Sequence, residues 1–193
     1  MTNPSFAQAP APTPESTDAV TPIATDRLDL RAPRPSDAGL IEHYASDERV
    51  ARMTRSIPHP LPPGATEAFV AGAMSRQRRE DIWVMDGMRA GLGEVVGVIG
   101  LEPMEGAPDQ SEIGYWVAPA LWNAGLASEA VTALLDANPH GSKTIFASVF
   151  QDNPISARVL TRAGFDYLGD AEAFSVSRGS TVATWTYLLR LRG

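Results

Sequence analysis

The segment Trp122-Asn123-Ala124-Gly125-Leu126-Ala127-Ser128 carries no charged side chain, yet it lies where a chain can hold an anion. It follows an alternating stretch and precedes a helical one, and Ala124, Gly125 and Ala127 leave its backbone uncovered. The first N–H groups of a helix have no intrahelical acceptor and sit at the positive end of its dipole. Amides from Asn123 through Ser128 can therefore cradle a phosphate or diphosphate by main chain alone. Read singly, Gly125 is equally a tight turn between strand and helix. A second segment, Asn153-Pro154-Ile155-Ser156, opens another helix, with Asn as a cap and Pro at the first helical position.

The flanking sequence supplies elements to position both segments. Ile113, Tyr115 and Val117 alternate with Glu112, Gly114 and Trp116, which is the period of a strand over 112–118. Leu126, Ala130, Val131, Leu134 and Leu135 recur at helical spacing, and Asn138-Pro139 ends that helix at 137. Earlier in the chain, 27–32 reads as a first strand. Ser36-Asp37 then opens a helix with Leu40, Ile41 and Tyr44 on one face. A short helix over 47–53, a proline-rich irregular loop over 57–64 and a helix over 66–79 follow. The last of these turns Phe69, Val70, Ala73 and Met74 inward, and Arg76, Arg78 and Arg79 complement its C-terminus. Strands at 82–86, 95–101 and 112–118 form an antiparallel meander, separated by loops over 86–93 and 103–109. A buried strand spans 143–150, and Gly164 closes the last helix as a left-handed cap. Strands over 165–169 and 181–191 complete a mixed α+β order.

Composition narrows the chemistry. A chain of 193 residues with 44% hydrophobic and 20% charged residues fits one globular domain. Its net charge of −7 argues against a nucleic-acid surface, although Lys143 is the sole lysine and arginine supplies every other basic residue. With no cysteine, disulfides, thiolate metal sites and a cysteine nucleophile are excluded. His43, His59 and His140 are scattered without metal-ligand spacing, so no metal is expected. No apolar run is long enough to span a bilayer and no signal-peptide pattern opens the chain, so the expected location is the cytoplasm, away from membranes. Residues 1–24, rich in Pro, Ala, Ser and Thr, are expected to form a flexible tail ahead of a single domain over 25–193.

Taken in order, Glu112-Ile-Gly-Tyr-Trp, the loop and its helix, Ser148-Val-Phe-x-Asp-Asn-Pro-x-Ser156 and Gly164-Phe165 resemble the GNAT superfamily of acetyl-CoA-dependent N-acetyltransferases. Within it they are most similar to the RimJ/RimL branch of ribosomal-protein N-terminal acetyltransferases. The likeness covers roughly 25–190. The family's coenzyme loop, Gln/Arg-x-x-Gly-x-Gly/Ala, falls on 122–127; Trp122 replaces the usual Gln or Arg, and Asn123 stands where this branch often has Gly. The resemblance implies a mixed α/β fold with a central, mostly antiparallel sheet, splayed middle strands and helices on both faces.

It also implies roles. Asn123, Ala124, Gly125, Leu126, Ala127 and Ser128 would hold the acetyl-CoA diphosphate. The exposed backbone of Trp116 and Val117 would pair with the pantetheine arm as an added strand, with the Val117 N–H facing the thioester oxygen. Asn153 would cap its helix and touch the coenzyme. The superfamily's usual thiolate-protonating Tyr falls on Leu160 and is absent; Ser156 stands where the RimJ/RimL branch places a hydroxyl. Glu112 occupies the place of a recurrent Glu that could take the amine proton, with Glu102, His43 and Asp86 as other candidates. Arg158 and Arg162, four apart on one helix face, could meet the 3′-phosphate or simply form a solvated basic face.

The function expected is acetyl transfer to a primary amine by direct attack on acetyl-CoA, the acceptor being a protein N-terminus or a small-molecule amine. The alternative is a non-catalytic acyl-CoA-binding regulatory module on the same fold, which the missing Tyr at Leu160 favours. The C-terminal hairpin is compatible with a homodimer.

Overall fold

The structure, a computed structural model, describes residues 20–191. Eight strands form one sheet in the order β1-β2-β3-β4-β5-β6-β8-β7. They are β1 (Ile23–Ala24), β2 (Asp29–Arg31), β3 (Asp81–Asp86), β4 (Gly97–Met104), β5 (Ala107–Val117), β6 (Thr144–Phe150), β7 (Asp166–Ser175) and β8 (Ser180–Arg190). Every pairing is antiparallel except β5 with β6. Helices α1 (Ala38–Ala45), α2 (Glu48–Ala51) and α3 (Ala65–Ala73) lie between β2 and β3, while α4 (Leu126–Ala137) and α5 (Pro154–Arg162) flank β6.

Strand alternation sorts the side chains into two cores. Trp83, Met85, Ile99, Leu101 and Ile113 face one side, where α4 contributes Leu126, Ala130, Val131, Leu134 and Leu135 and α5 contributes Ala157 and Leu160. Ile82, Val84 and Val98 face the other, against Ile41 of α1 and Val70 of α3, with Trp116 packed beside them. Helices therefore cover both faces of a mostly antiparallel mixed α/β sheet, as expected from the sequence.

The parallel pair β5–β6 is the sheet's opening. It runs only from Gln110↔Thr144 to Glu112↔Phe146. Beyond that point β5 continues against β4 as far as Val117, and β6 continues against β8 as far as Phe150. Residues 113–117 and 147–150 thus leave a wedge between them.

Several expectations need correction. The tail over 1–24 ends too late: Val20 is buried, Trp83 Nε1 donates to the Thr21 carbonyl at 2.9 Å, and Ile23–Ala24 pairs with β2. Apolar Val20 and Ile23 gain burial there despite the neighbouring prolines; residues 1–19 lie outside those described. Helix α3 stops at Ala73, six residues short of the expected 79, and Met74 is its exposed cap. Phe69 is not in the core but lines the cleft described below, and Leu40 is likewise exposed. The loop expected over 103–109 is mostly strand, closed by a tight turn at Gly106 (φ +76°). The strand expected over 165–169 runs on to Ser175, because β8 offers it a full-length partner.

A buried ionic cluster fixes β2 to the start of α1. Arg31 donates to Asp37 through Nη1 (2.8 Å) and Nη2 (2.9 Å), and through Nε to Asp86 (2.7 Å). Burial opposes ionisation of Asp37, but the Arg31 hydrogen bonds and the Arg34 amide outweigh it and hold its pKa below the ordinary carboxylate value. That stabilisation is present above the unfolded-state pKa of about 3.9 and is lost as pH falls through the lower folded value. Asp37→Asn leaves a buried guanidinium short of one charge and should cost roughly 3–5 kcal/mol. Thermal melts should show the largest wild-type advantage near pH 7 and a shrinking one towards pH 3.

Candidate active site

The coenzyme-loop segment is built as its residue types require. Gly125 is the N-cap of α4 with φ +80°, and Asn123 also has positive φ at +63°. These two left-handed residues turn the chain sharply after Trp122 and aim successive amides outward. Among the described residues, the N–H groups of Asn123, Gly125, Leu126, Ala127 and Ser128 have no acceptor; Ala124 makes one long bond, 3.4 Å, to the Leu121 carbonyl. The loop is braced from below by Arg27, which donates to the Ala124 carbonyl (2.9 Å) and to Glu129 in the first turn of α4 (2.7 Å). Glu129 also accepts from Thr25 and from the Arg27 amide. Arg27 was legible only as a strand residue, since its partner lies 102 positions away.

The loop opens into a cleft of about 1280 Å³ that passes through the wedge. Of the candidate binding and catalytic residues, Glu112, Trp116, Val117, Asn123, Gly125, Leu126, Ala127, Ser128, Asn153 and Ser156 line it, and Ala124 does not. Arg158 and Arg162 lie along its rim, with no ion pair among the described residues. His43 and Asp86 are elsewhere: His43 stands against Tyr44, and Asp86 belongs to the Arg31 cluster. Glu102 does line the cleft.

Within the wedge, the backbone of β5 is partly engaged. Ala118 N–H donates to the Val96 carbonyl, so alternation turns the Val117 amide the other way, towards the gap. The Val117 carbonyl already accepts one hydrogen bond, from Trp122 Nε1 at 2.7 Å. The Trp that departs from the family's loop pattern therefore locks the end of β5, and Arg49 lies over its ring at 5.6 Å.

Asn153 caps α5 by accepting from the Ser156 amide (3.2 Å). The Ser156 hydroxyl does not turn back to the helix; its Oγ donates to the Tyr115 phenol oxygen at 2.8 Å, and that phenol donates to the Ser156 carbonyl at 3.2 Å. Burial pushes the Tyr115 pKa up to about 12, against the small opposing effect of the Ser156 hydrogen bond. The phenol thus stays protonated near neutral pH. Leu160, at the position of the absent Tyr, is fully buried in the core.

Carboxylates line the cleft as well. Glu112 pairs with Arg55 (Oε1 to Nη2, 3.0 Å), and the Arg55 carbonyl accepts from Val176 at the tip of the β7–β8 hairpin. The tip is held by Arg178, which donates to Asp152 and to the Arg52 carbonyl and stacks over Phe150. Glu80, which no sequence motif marked, also lines the cleft. A separate Asp81–His140–Ser111–Ser142 chain has the order of a hydrolytic triad, but Ser111 and Ser142 are buried and none of the four lines the cleft. No group of potential metal ligands occurs among the described residues, and no described helix is long and apolar enough to cross a membrane.

Comparison with known proteins agrees with this geometry. Residues 27–166 match the family model described as acetyltransferase (GNAT) domain. An uncharacterised N-acetyltransferase of Bacillus subtilis, YoaA, is 29% identical over 172 residues, covering 86% of this chain and 94% of that protein. Among solved structures, Mycobacterium smegmatis RimJ in complex with CoA-disulfide superposes with a TM-score of 0.73 at 22% identity, covering 91% of this chain and 88% of that one. Spermidine N-acetyltransferase of Vibrio cholerae in complex with CoA and spermine gives 0.70 at 16% identity, covering 85% and 95%.

Proposed function

The chain belongs to the GNAT acetyltransferase family, and from that premise we propose that it transfers acetyl from acetyl-CoA to a primary amine by direct attack on the thioester. The observation that carries this reading is the unsatisfied amide row of the α4 loop opening into the β5–β6 wedge. In it, the amides from Asn123 to Ser128 hold the diphosphate, with Arg27 setting the loop. The pantetheine arm lies along β5 beside Trp116 and Val117, and Asn153 borders it. The Val117 carbonyl is braced by Trp122, and the Val117 amide faces the oxygen of the tetrahedral intermediate. Arg158 or Arg162 meets the 3′-phosphate.

The leaving thiolate is protonated by Ser156, whose hydroxyl turns its proton from the Tyr115 oxygen that accepts it in this structure to the sulfur. This pair answers the loss of the usual Tyr at Leu160, the one feature favouring a non-catalytic acyl-CoA-binding module. On the acceptor side, Glu80, Glu102 and Glu112 against one Arg55 suit a cationic amine. Both a protein N-terminus, as the RimJ likeness suggests, and a polyamine, as the spermidine acetyltransferase likeness suggests, meet that requirement. We place the enzyme in the cytoplasm, acting without metal, nucleic acid or membrane. The C-terminal hairpin remains the candidate homodimer surface, since β7 forms the sheet edge and exposes Leu168 and Phe174.

The test is an acceptor panel of polyamines, amino acids and peptides with free N-termini, incubated with acetyl-CoA. Thiol release and a product heavier by one acetyl group are expected with at least one cationic amine. Coenzyme binding without thiol release across the whole panel would favour the module instead.

A further inference from the structure

Glu80 immediately precedes β3 and falls on the same face as Ile82. The β3–β4 register ends at Asp81↔Leu101, so one further step sets Glu80 beside Glu102, which in turn pairs with Glu112 on β5. Three carboxylates thus form a row across three adjacent strands, along the cleft wall.

Their situations differ. Glu112 is engaged by Arg55 through one carboxylate oxygen, Oε1 to Nη2 at 3.0 Å. Glu80 has no hydrogen-bond or ion-pair partner among the described residues. Its carboxylate lies directly over the Cα of Gly100: a Cβ at that position would overlap the Glu80 carboxylate and crowd Ile82 Cδ1. Gly100 is a notch that admits this one side chain. The next residue anchors the strand, since Asp81 accepts from Arg78 at 2.5 Å and bonds to His140 at 2.8 Å. Glu80 therefore projects from a fixed backbone into the cleft, while its charge is left unmatched.

We propose that Glu80 is the base that takes the proton of the acceptor ammonium, an assignment that rests on the acetyl-transfer reading above. The ammonium N–H bond breaks, its proton passes to the Glu80 carboxylate directly or through one water, and the freed nitrogen pair attacks the thioester carbon. A tetrahedral oxyanion forms facing the Val117 amide. The C–S bond then breaks with its electron pair leaving on sulfur; the Ser156 hydroxyl gives its proton to the thiolate and is restored, directly or through water, by the second proton of the attacking nitrogen. Net, the amide and coenzyme thiol form, and Glu80 returns one proton to solvent.

The charges around Glu80 suit that task. Burial, then Glu102 on β4, Glu112 on β5 and the adjacent Asp81 raise its pKa, Arg55 alone opposes them, and the result is pushed up to about 7. A base with that value is half ionised near neutrality and takes a proton without binding it too weakly to be useful.

The experiment compares wild type with Glu80→Gln, Glu112→Gln and Gly100→Ala, using spermidine and a free-N-terminus peptide as acceptors and direct titration for acetyl-CoA affinity. For wild type, log(kcat/KM) should fall by one decade per pH unit below about 7. Glu80→Gln should lower turnover about 10²–10⁴-fold and abolish that limb, with acetyl-CoA affinity unchanged. Gly100→Ala should lower turnover in the same direction by displacing the carboxylate, and Glu112→Gln should retain the limb. Turnover by Glu80→Gln within about threefold of wild type with an unchanged profile, or a limb removed by Glu112→Gln alone, would overturn the assignment while leaving acetyl transfer intact. A wild type that binds acetyl-CoA but releases no thiol with either acceptor would instead sink the acetyl-transfer reading and the assignment with it.

Discussion

Replacing Gly125 by Glu should weaken acetyl-CoA binding by about 10²-fold or more while leaving the fold in place. A carboxylate at the α4 N-cap would face the diphosphate across a short gap, and like-charge juxtaposition costs several kcal/mol; about 1.4 kcal/mol corresponds to each tenfold in affinity. The left-handed conformation at φ +80° adds about 1–2 kcal/mol of strain for any residue with a Cβ. Space is not the obstacle, since a Cβ there meets only Arg27 Nη2 at 3.5 Å, an ordinary contact. Gly125→Ala separates the contributions: it carries the strain without the charge and should lose much less affinity than Gly125→Glu. Calorimetric titration of both variants with acetyl-CoA measures the difference. Equal affinities for Gly125→Glu and wild type would remove the loop from the coenzyme site.

The second large effect is expected at the hydroxyl pair. Ser156→Ala should reduce turnover by about 10²–10⁴-fold, the usual contribution of a positioned proton donor, with coenzyme affinity nearly unchanged because the Asn153 cap uses the Ser156 amide rather than its hydroxyl. Tyr115→Phe should reduce turnover by a smaller factor, since it removes the acceptor that orients the Ser156 hydroxyl and leaves Ser156 in place. A chemical signature distinguishes proton donation from mere packing. With an acetyl donor whose thiol is more acidic, the leaving group needs less help, so the Ser156→Ala deficit should shrink. A deficit that stays constant across donors, or near-normal turnover with acetyl-CoA, would reject the assignment.

The parts of the fold that were readable from the sequence are those with local punctuation. Helix α4 begins after Gly125 and ends at Ala137, and α5 begins at Pro154 after the Asn153 cap, both at the residues their caps dictate. Gly164 adopts φ +92° where a left-handed cap was expected. The errors fall where a specific pairing, even one only three residues apart, overrides the local pattern. Arginines at 76, 78 and 79 look like the end of a helix, yet Arg78 is drawn to Asp81 beyond α3. Residues 103–109 look like a loop, yet β4 and β5 carry their pairing through most of it.

The site divides in the same way. The loop amides, Asn153, Ser156 and Glu112 were visible because each sits in a recognisable local pattern, and the structure gathers them, Ala124 aside, in one cleft. Arg27, Tyr115 and Glu80 acquire meaning only from residues far along the chain. Arg27 needs Glu129, Tyr115 needs Ser156 and Glu80 needs the bare Cα of Gly100. No spacing rule connects those pairs, because tertiary packing and not sequence order brings them together. The register of three strands sets Glu80, Glu102 and Glu112 side by side along the cleft.

Backbone amide resonances followed during titration with acetyl-CoA give the most direct measurement of whether main-chain N–H groups at α4 and the open flank of β5 receive the coenzyme. The expected result is that the largest shifts fall on residues 123–128 and on Val117, are lost in Gly125→Glu, and are reproduced in part by a diphosphate-bearing fragment without the pantetheine arm. Tight binding of acetyl-CoA with those resonances unmoved would contradict the account, whatever activity the protein proved to have.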